Sequence, residues 1–403
     1  MVSKLKRDEY VRSARISTKL FNKGKKQALN NLYENCKKLT QDYINIIWDS
    51  GVSIRSTFAD KEEYDLVVAK WATVRLKQTC CQKAKGIIKG VKAKQKKRLF
   101  IYDKLVEEND IVNANKLKLV IDKVKMSRPE LKNYSLDLNE QFVRLDNINT
   151  KRMKLRKTKH KDWIHLSSIG NRKSYNLPFI RTKIYNKWLN KKDSIRSKFI
   201  QIVENGQIKL VFKILRAKKI KGNVEGCDIG LNNVWSLSNK SQAPNANTLN
   251  QSLNTIIRSM CLRTRGGVGI KKKREHRQNF INWSINQMDL SNVRKIKLED
   301  INISTGNNLF LNYWSYRQIL NKIEHLCEEN DVDVEYINPH KTSQRCFSCG
   351  YTHENNRKGK LFDCIKCENK DDADTNASYN ILHLKRGKKI NGTSVNGGFY
   401  YTI

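Results

Sequence analysis

Two Cys-x-x-Cys pairs restrict the fold of this 403-residue sequence more than any other feature. Cys346 and Cys349 form the first pair and Cys364 and Cys367 the second, with fourteen residues between the pairs. Pairs at this separation can turn four thiolates toward one point, which is the tetrahedral arrangement of a structural zinc site. Four thiolates leave no open coordination position. We therefore expect one structural Zn²⁺ in a zinc ribbon, a segment with too little apolar material to fold alone.

Other uses of these cysteines are disfavoured by their context. A redox role would need thioredoxin-like surroundings, and neither pair has them. His353 lies between the pairs and can replace a cysteine as ligand, but with four thiols present we expect a surface residue. The chain shows no secretory signal, so we expect a reducing compartment in which the scattered cysteines are small core residues or idle thiols. They are Cys36, Cys80, Cys81, Cys227, Cys261 and Cys327.

The chain is strongly basic, with 79 Lys and Arg residues against 39 Asp and Glu residues and a formal net charge of +40. Such an excess repels itself unless a polyanion neutralises it, and nucleic acids are the abundant polyanions of a cell. A solubilising surface or a membrane-facing patch is the alternative, but the excess is spread over most of the chain. No run approaches the roughly 18–20 apolar residues of a membrane span. We expect a nucleic-acid partner and no membrane.

Three acids stand at positions suited to metal binding. Asp228 lies between apolar residues in a predicted central strand, and Glu299 ends a second apolar, strand-like run. Asp374 begins a predicted helix, where Asp371 and Asp372 compete with it. Each acid alone can be a hydrogen-bonded structural residue or a helix cap. Converging together, they can hold two Mg²⁺ ions about 4 Å apart, an arrangement that hydrolyses phosphodiesters.

Apolar residues at three-four spacing predict helices in the N-terminal part of the chain. The predicted helices cover residues 25–48, 61–91 and 97–119, and the last is interrupted near Asn109-Asp110. Lysine is dense between the second and third of them. We interpret this part as a basic helical domain, with a solvated helix face that has no partner as the alternative.

The pattern then changes to strands and afterwards to a mixture of strands and helices. A basic cluster at residues 151–161 is followed by a predicted hairpin, with strands at 199–203 and 208–212 around Asn205-Gly206, a pair that tolerates positive φ. Beyond the hairpin, strand and helix patterns alternate, which indicates a mixed α/β domain with a central sheet. Residues 266–274 predict a flexible, glycine-rich basic loop before a helix.

The acids and the cysteine pairs stand within four short motifs. They are Asp228-Ile229-Gly230, Leu298-Glu299-Asp300, Thr342-Ser343-Gln344-Arg345-Cys346-x-x-Cys349-Gly350 and Ala373-Asp374-x-Asn376-Ala377-x-x-Asn380-Ile381. In these motifs, their order and their spacing, the chain resembles the TnpB family of transposon-encoded RNA-guided nucleases and the related miniature type V CRISPR effectors. The resemblance covers residues 221–384 closely and the N-terminal half only in layout. Cys227 departs from it, because a branched apolar residue is common there.

The resemblance implies an α+β multidomain protein whose nuclease domain has the RNase H-like (RuvC) fold with an inserted zinc ribbon. The expected parts are a β-barrel wedge domain (1–15 and 125–220), a helical recognition domain (16–124), the RuvC-like nuclease domain (221–340 and 369–384), a zinc ribbon that binds target nucleic acid (341–368) and a flexible basic tail (385–403).

The resemblance also implies an activity. Asp228, Glu299 and Asp374 would bind magnesium, as two ions, and catalyse hydrolysis of DNA phosphodiester bonds under the guidance of an RNA. The target would be double-stranded DNA, read by base pairing beside a short motif that the protein recognises. The basic residues expected to contact nucleic-acid backbones are Lys273, Arg274, Arg277 and Arg345.

Two other functions stay open from the sequence. A guided repressor would occupy DNA without cutting it, although the three acids are intact here. A conventional transposase would join DNA strands without a guide. We expect a prokaryotic, cytoplasmic and nucleoid-associated protein, or a nuclear one if it is a eukaryotic relative of the Fanzor type. The sequence does not determine the oligomeric state (monomer or dimer), the guide RNA, the adjacent motif or the cut pattern.

Overall fold

The computed structural model describes most of the chain in two compact units, Met1–Leu215 and Arg216–Ile403. The described residues are 9–51, 54–124, 127–147, 162–170, 173–264, 266–301, 308–385, 389–390 and 401–402. The predicted basic cluster at 151–161 and most of the predicted tail lie outside these ranges. Within them, no helix is long and apolar enough to cross a bilayer.

The first unit combines antiparallel sheets with long helices. Its described elements are β1 (Glu9–Arg15), α1 (Lys23–Asp49), α2 (Lys61–Tyr64), α3 (Val74–Glu107), α4 (Ile111–Val124), β2 (Leu136–Leu138), β3 (Val143–Asn147), β4 (Asp162–Leu166), β5 (Tyr175–Phe179), α5 (Lys183–Leu189), β6 (Ser194–Val203) and β7 (Gln207–Leu215). One sheet has the order β1-β7-β6-β2 and the other the order β3-β4-β5. A single hydrophobic core joins both sheets to α1 and α3.

The helices follow the sequence prediction only in part. The first predicted helix is confirmed as α1, which begins where the Asn22 side chain accepts a hydrogen bond from the Lys25 N–H at 2.8 Å. The predicted second helix (61–91) is broken after α2, and the predicted boundary between the second and third helices is also wrong. Thr73 caps a new helix by accepting from the Leu76 N–H at 3.3 Å, and α3 then continues through the lysine-rich stretch, because Lys, Gln and Ala are good helix formers. The interruption at Asn109 is confirmed, since its φ is 56°.

The predicted hairpin is confirmed as β6 and β7. The strands pair antiparallel with Ile202 opposite Ile208, and the connection is Glu204-Asn205-Gly206. Asn205 and Gly206 have φ values of 61° and 65°, the left-handed region that the Asn-Gly pair tolerates.

The second unit contains a mixed sheet, a small ribbon and five helices among its described residues. Its described strands and helices, in chain order, are β8 (Asn223–Asp228), β9 (Ser236–Leu237), α6 (Leu253–Cys261), α7 (Val268–Ile285), β10 (Val293–Glu299), α8 (Leu309–Trp314), α9 (Tyr316–Glu329), β11 (Asp333–Ile337), β12 (Arg357–Lys358), β13 (Leu361–Asp363), β14 (Lys370–Asp372), α10 (Ala373–His383), β15 (Lys389–Ile390) and β16 (Tyr401–Thr402). The main sheet has the order β11-β10-β8-β9. In it β10 is parallel to both neighbours and β9 is antiparallel to β8.

This sheet confirms the predicted mixed α/β domain with a central sheet. Apolar residues of β8 and β10 share one core with α6, α7 and α9. The expected loop at 266–274 is partly wrong, because α7 already begins at Val268 and contains the basic run. Strands β12, β13 and β14 form the antiparallel sheet of the ribbon.

Candidate active site and zinc centre

Two of the predicted acids end neighbouring parallel strands. β8 and β10 pair with Cys227 opposite Leu298, so the next residue of each strand, Asp228 or Glu299, lies at the same edge of the sheet. Cys227 and Leu298 are fully buried and anchor the strand ends in the core. Ligands of such sheets bind beyond the carboxyl ends of parallel strands, which is where this register places the two carboxylates.

The third acid reaches this edge from α10. Gly226 lets α10 lie so close to β8 that an added Cβ would stand 2.1 Å from the carbonyl oxygen of Ser378. Asp374, in the first turn, then lies over the loop that follows β8. Its Oδ2 is 3.5 Å from the position of a Cβ on Gly230 and accepts a hydrogen bond from Asn233 Nδ2 at 3.2 Å. Asp374 is only 5% exposed.

The three acids act on one another electrostatically. Burial raises the pKa of Asp228 well above its usual range, and the charges of Glu299 and Asp374 raise it further. Burial also raises the pKa of Glu299 to about 7, although a hydrogen bond from the Thr342 hydroxyl acts in the opposite direction. Carboxylates that are buried together and repel each other are stabilised by a cation. An all-oxygen ligand set of this kind suits Mg²⁺.

The guanidinium of Arg357 contacts this acidic group. Its Nη2 donates to Asp374 Oδ1 at 2.8 Å, and its charge lowers the pKa of both Asp228 and Glu299. Arg357 begins β12 of the ribbon, where it pairs with Phe362, and its side chain reaches Asp374. The sequence does not reveal this role, because Arg357 is one cation among many in a basic segment.

The acids next to Asp374 have structural roles. Asp372 caps α10, since its Oδ1 accepts from the N–H groups of Asp374 and Thr375 at 3.1 and 3.0 Å. Gln242 Nε2 donates to the same oxygen at 2.9 Å. Asp371 accepts from the N–H of Asp372 at 2.8 Å. The structure therefore brings Asp374, rather than either neighbour, to the two acids at the strand ends.

The four cysteines predicted to bind zinc are drawn together. The Sγ atoms of Cys346 and Cys367 are 3.7 Å apart, those of Cys349 and Cys364 are 3.6 Å apart, and all four lie within 4.8 Å of one another. Zn–S bonds of about 2.3 Å give a tetrahedron with edges of about 3.8 Å, so these residues fit Zn²⁺. In the part of the chain that the structure describes, no other group of three or more Cys, His, Asp or Glu side chains is gathered this tightly.

The remaining thiols and the ribbon histidine lie outside the cluster. His353 Nδ1 accepts a hydrogen bond from the Asn355 N–H at 3.2 Å, and its ring stacks on Tyr351 with centroids 6.1 Å apart. Of the six scattered cysteines, Cys261 is partly exposed and the other five are buried. These placements agree with the interpretation of a closed four-cysteine site.

The basic residues of α7 differ in their access to solvent. Arg274 is exposed and Lys273 is partly exposed. Arg277 donates through Nη1 to the carbonyl oxygen of Tyr313 at 2.7 Å, and burial lowers its pKa. Arg274 and Lys273 can therefore contact a phosphate directly, whereas Arg277 is already hydrogen-bonded to α8.

Arg345 has a different place from the one predicted. It is 1% exposed, and its Nη1 donates to Asn380 Oδ1 at 2.9 Å and to the carbonyl oxygen of Cys346 at 3.2 Å. The prediction that Arg345 contacts a nucleic-acid backbone is wrong for this structure, because its guanidinium lies inside the protein. Its position beside a cysteine pair suggested a surface residue, and the sequence does not show that this pair packs against α10.

Comparisons with known proteins place the same region in a family context. Residues 316–381 match the family model named Cas12f1-like, TNB domain. The chain is 40% identical over 88 residues to the CRISPR-associated endodeoxyribonuclease Cas12f1 of Sulfoacidibacillus thermotolerans, a segment that covers 21% of each protein. It is 33% identical over 102 residues to a TnpB-like protein of Methanocaldococcus jannaschii, covering 25% of this chain and 35% of that protein. A solved Cas12f1–sgRNA–target DNA complex aligns with 93% of this chain and 99% of that chain, with a TM-score of 0.47 and 14% identity.

The matches to these curated relatives span only about a fifth to a third of their length. The segment that matches the family model contains all four zinc-site cysteines, Arg357 and Asp374. The resemblance to TnpB proteins and miniature type V CRISPR effectors is thereby confirmed, and the family-model match includes the ribbon and most of the helix of the third acid.

Proposed function

We propose that this chain is an RNA-guided DNA endonuclease with a magnesium-dependent, RuvC-like active site. The observation that supports the proposal is that Asp228 and Glu299 end neighbouring parallel strands and Asp374 lies over the loop that follows β8, although the three acids lie far apart in the sequence. The similarity of an 88-residue segment of the chain to a protein named an endodeoxyribonuclease supports it. The formal charge of +40 supplies the attraction for a nucleic-acid substrate.

The three acids would supply the oxygen ligands for the metal. Bound Mg²⁺, as two ions, would activate a water and stabilise the leaving oxygen of the phosphodiester. The protein orients Glu299 through the Thr342 hydroxyl on Oε1 and Asp374 through Asn233 on Oδ2. Arg357 compensates the charge of Asp374, and its guanidinium is a second group at the site that can hold a phosphate.

The guide RNA and the double-stranded target are part of the same proposal. Base pairing with the guide would select the target, and the N-terminal unit would read the short adjacent motif. Helices α1–α4 are inserted between β1 and β2, which lie in one sheet. We propose that this insertion is the recognition domain and that the β-rich remainder of the unit is the wedge domain, with the boundaries predicted from the sequence.

The test is cleavage of a plasmid by the protein with its co-purified RNA and Mg²⁺. Asp228→Asn, Glu299→Gln and Asp374→Asn each abolish cleavage and retain RNA binding, because each removes a metal ligand and leaves the basic surface intact. Asp371→Asn is the matched control. It changes an acid three residues from Asp374 whose side chain accepts from a backbone N–H, and it retains cleavage. Wild-type cleavage by any of the first three variants would remove that acid from the site.

The same assay separates the two other functions. A guided repressor would bind the target and leave the plasmid intact with wild-type protein and Mg²⁺. A conventional transposase would stay active after the RNA has been digested. Sequencing the RNA that co-purifies with the protein identifies the guide and, through it, the target.

A further inference from the structure

Two asparagines on α10 hold the backbone around the first cysteine pair. Asn376 and Asn380 are one helical turn apart and fully buried. Asn376 Oδ1 accepts from the Phe347 N–H at 3.0 Å, and its Nδ2 donates to the Arg345 carbonyl oxygen at 2.8 Å. Asn380 Nδ2 donates to the carbonyl oxygens of Thr342 at 2.9 Å and of Arg345 at 2.7 Å. This stretch of backbone is therefore fastened to α10.

The side chains of the same stretch complete the attachment. The buried Arg345 guanidinium donates to Asn380 Oδ1, and Phe347 stacks on Tyr379 with ring centroids 4.6 Å apart. Buried polar groups are costly unless they are hydrogen-bonded, so the network favours one arrangement of this segment on the helix. Cys346 lies between Arg345 and Phe347, so an expected zinc ligand is part of the segment that these contacts hold on α10.

At its other end the segment contacts the second acid of the active site. The Thr342 hydroxyl donates to Glu299 Oε1, and both residues are buried, with exposed fractions of 3% and 7%. A hydrogen-bond partner of a metal-binding carboxylate orients that ligand and affects metal affinity. The hydroxyl of Thr342 also lies 3.0 Å from the carbonyl oxygen of Pro339, which is the alternative acceptor for its one proton.

We infer that Thr342 is a positioning residue for Glu299 and that zinc binding strengthens magnesium binding through residues 342–347. Folding of the first cysteine pair around Zn²⁺ fixes Cys346, the asparagines of α10 fix the backbone before it, and Thr342 then holds the Glu299 carboxylate in place. The inference rests on the proposed function, since it takes Glu299 as a magnesium ligand. The ribbon is then a support of the active site in addition to a surface for nucleic acid.

The first experiment measures Mn²⁺ binding to the full-length, zinc-loaded protein by calorimetry, without nucleic acid. Thr342→Val raises the Mn²⁺ dissociation constant about tenfold, the lower end of the effect of losing such a partner. Thr342→Ser keeps the hydroxyl and stays within about twofold of wild type. Thr352→Val is the matched control, because Thr352 is a buried ribbon threonine whose hydroxyl lies near the Gly350 carbonyl oxygen instead of an acid. Circular dichroism establishes that each variant is folded.

The outcomes separate the inference from the function on which it rests. Wild-type Mn²⁺ affinity in folded Thr342→Val overturns the positioning role and leaves the proposed function standing. If wild-type protein and Asp228→Asn bind Mn²⁺ equally, the proposed metal site is wrong and the inference falls with it.

The second experiment needs no variant of the network. Coupling between two binding sites is reciprocal, so saturating Mg²⁺ must strengthen zinc binding by the factor by which zinc strengthens magnesium binding. Titration with a zinc-selective chelator gives a zinc dissociation constant about tenfold lower with Mg²⁺ than without it in the wild-type protein. Asp228→Asn, which lacks the magnesium site, shows no such shift. Equal zinc affinity with and without Mg²⁺ in the wild-type protein overturns the coupling.

Discussion

Replacement of Gly226 by alanine tests whether the close approach of α10 to β8 builds the active site. The added Cβ would stand 2.1 Å from the Ser378 carbonyl oxygen and 2.5 Å from the Leu382 nitrogen. Ordinary contact begins near 3.4 Å, so the helix has to move by about 1.3 Å. Both obstructing atoms belong to the backbone and cannot rotate away. The displaced helix carries Asp374, and the displacement is directed away from the strand that ends in Asp228.

The expected costs follow from this displacement. Overpacking costs about 1–3 kcal/mol, and we expect the upper end because backbone has to move. For a unit of about 190 residues, 3 kcal/mol corresponds to a fall in melting temperature of about 6–12 °C. A misplacement of about 1 Å in a catalytic site costs about 100-fold in rate. Differential scanning calorimetry measures the first effect, and plasmid cleavage below the melting temperature measures the second.

Gly90→Ala is the control for the Gly226→Ala variant. Gly90 lies within α3, and a Cβ there meets nothing within 4 Å, so alanine should stabilise the helix by about 0.5–1 kcal/mol. If Gly226→Ala melted and cut like the wild type while Gly90→Ala behaved as expected, the reasoning that α10 is held on β8 by this contact would be refuted.

Three further predictions concern two arginines and the cysteine cluster. Arg274→Ala lowers nucleic-acid affinity and reduces the slope of log affinity against log salt by about one, because Arg274 is exposed to solvent and free to contact a phosphate. Arg345→Met leaves this slope unchanged and lowers the melting temperature, since it removes buried hydrogen bonds worth about 1–3 kcal/mol; an equal change of slope in both variants would contradict the buried position. Elemental analysis should find one zinc per chain in the wild-type protein, and Cys364→Ser should lose it together with part of the thermal stability. Full zinc occupancy in that variant would show that the ribbon cysteines are not the ligands.

The four-cysteine cluster and the strand-end acids are predictable from the sequence because their signals are local. The spacing of the four cysteines alone indicates a tetrahedral site, and the structure gathers their sulfur atoms accordingly. Asp228 lies between apolar residues and Glu299 ends an apolar, strand-like run, and patterns of this kind predict strands. The Asn-Gly hairpin is local in the same sense, because its turn depends on two adjacent residues.

What the sequence does not reveal depends on contacts between distant segments. The direction of Arg345 is set by Asn380, thirty-five residues away, and that of Arg357 by Asp374. Neither pairing leaves a periodic pattern. The start of a new helix after Thr73 is hard to predict for another reason. It is marked by one capping hydroxyl, within a stretch whose apolar spacing continues on both sides. The hydrophobic pattern thus predicts helices and strands, whereas the partners of buried polar groups are known only from the folded structure.

The position of the ribbon in the chain has a consequence for the timing of synthesis. β14 ends at Asp372 and α10 begins at the next residue, so the ribosome makes both cysteine pairs before it adds Asp374. A growing chain therefore carries both cysteine pairs and two of the three acids before it contains the helix that brings the third. The order of synthesis thus allows the four-cysteine cluster to form before the three acids can come together.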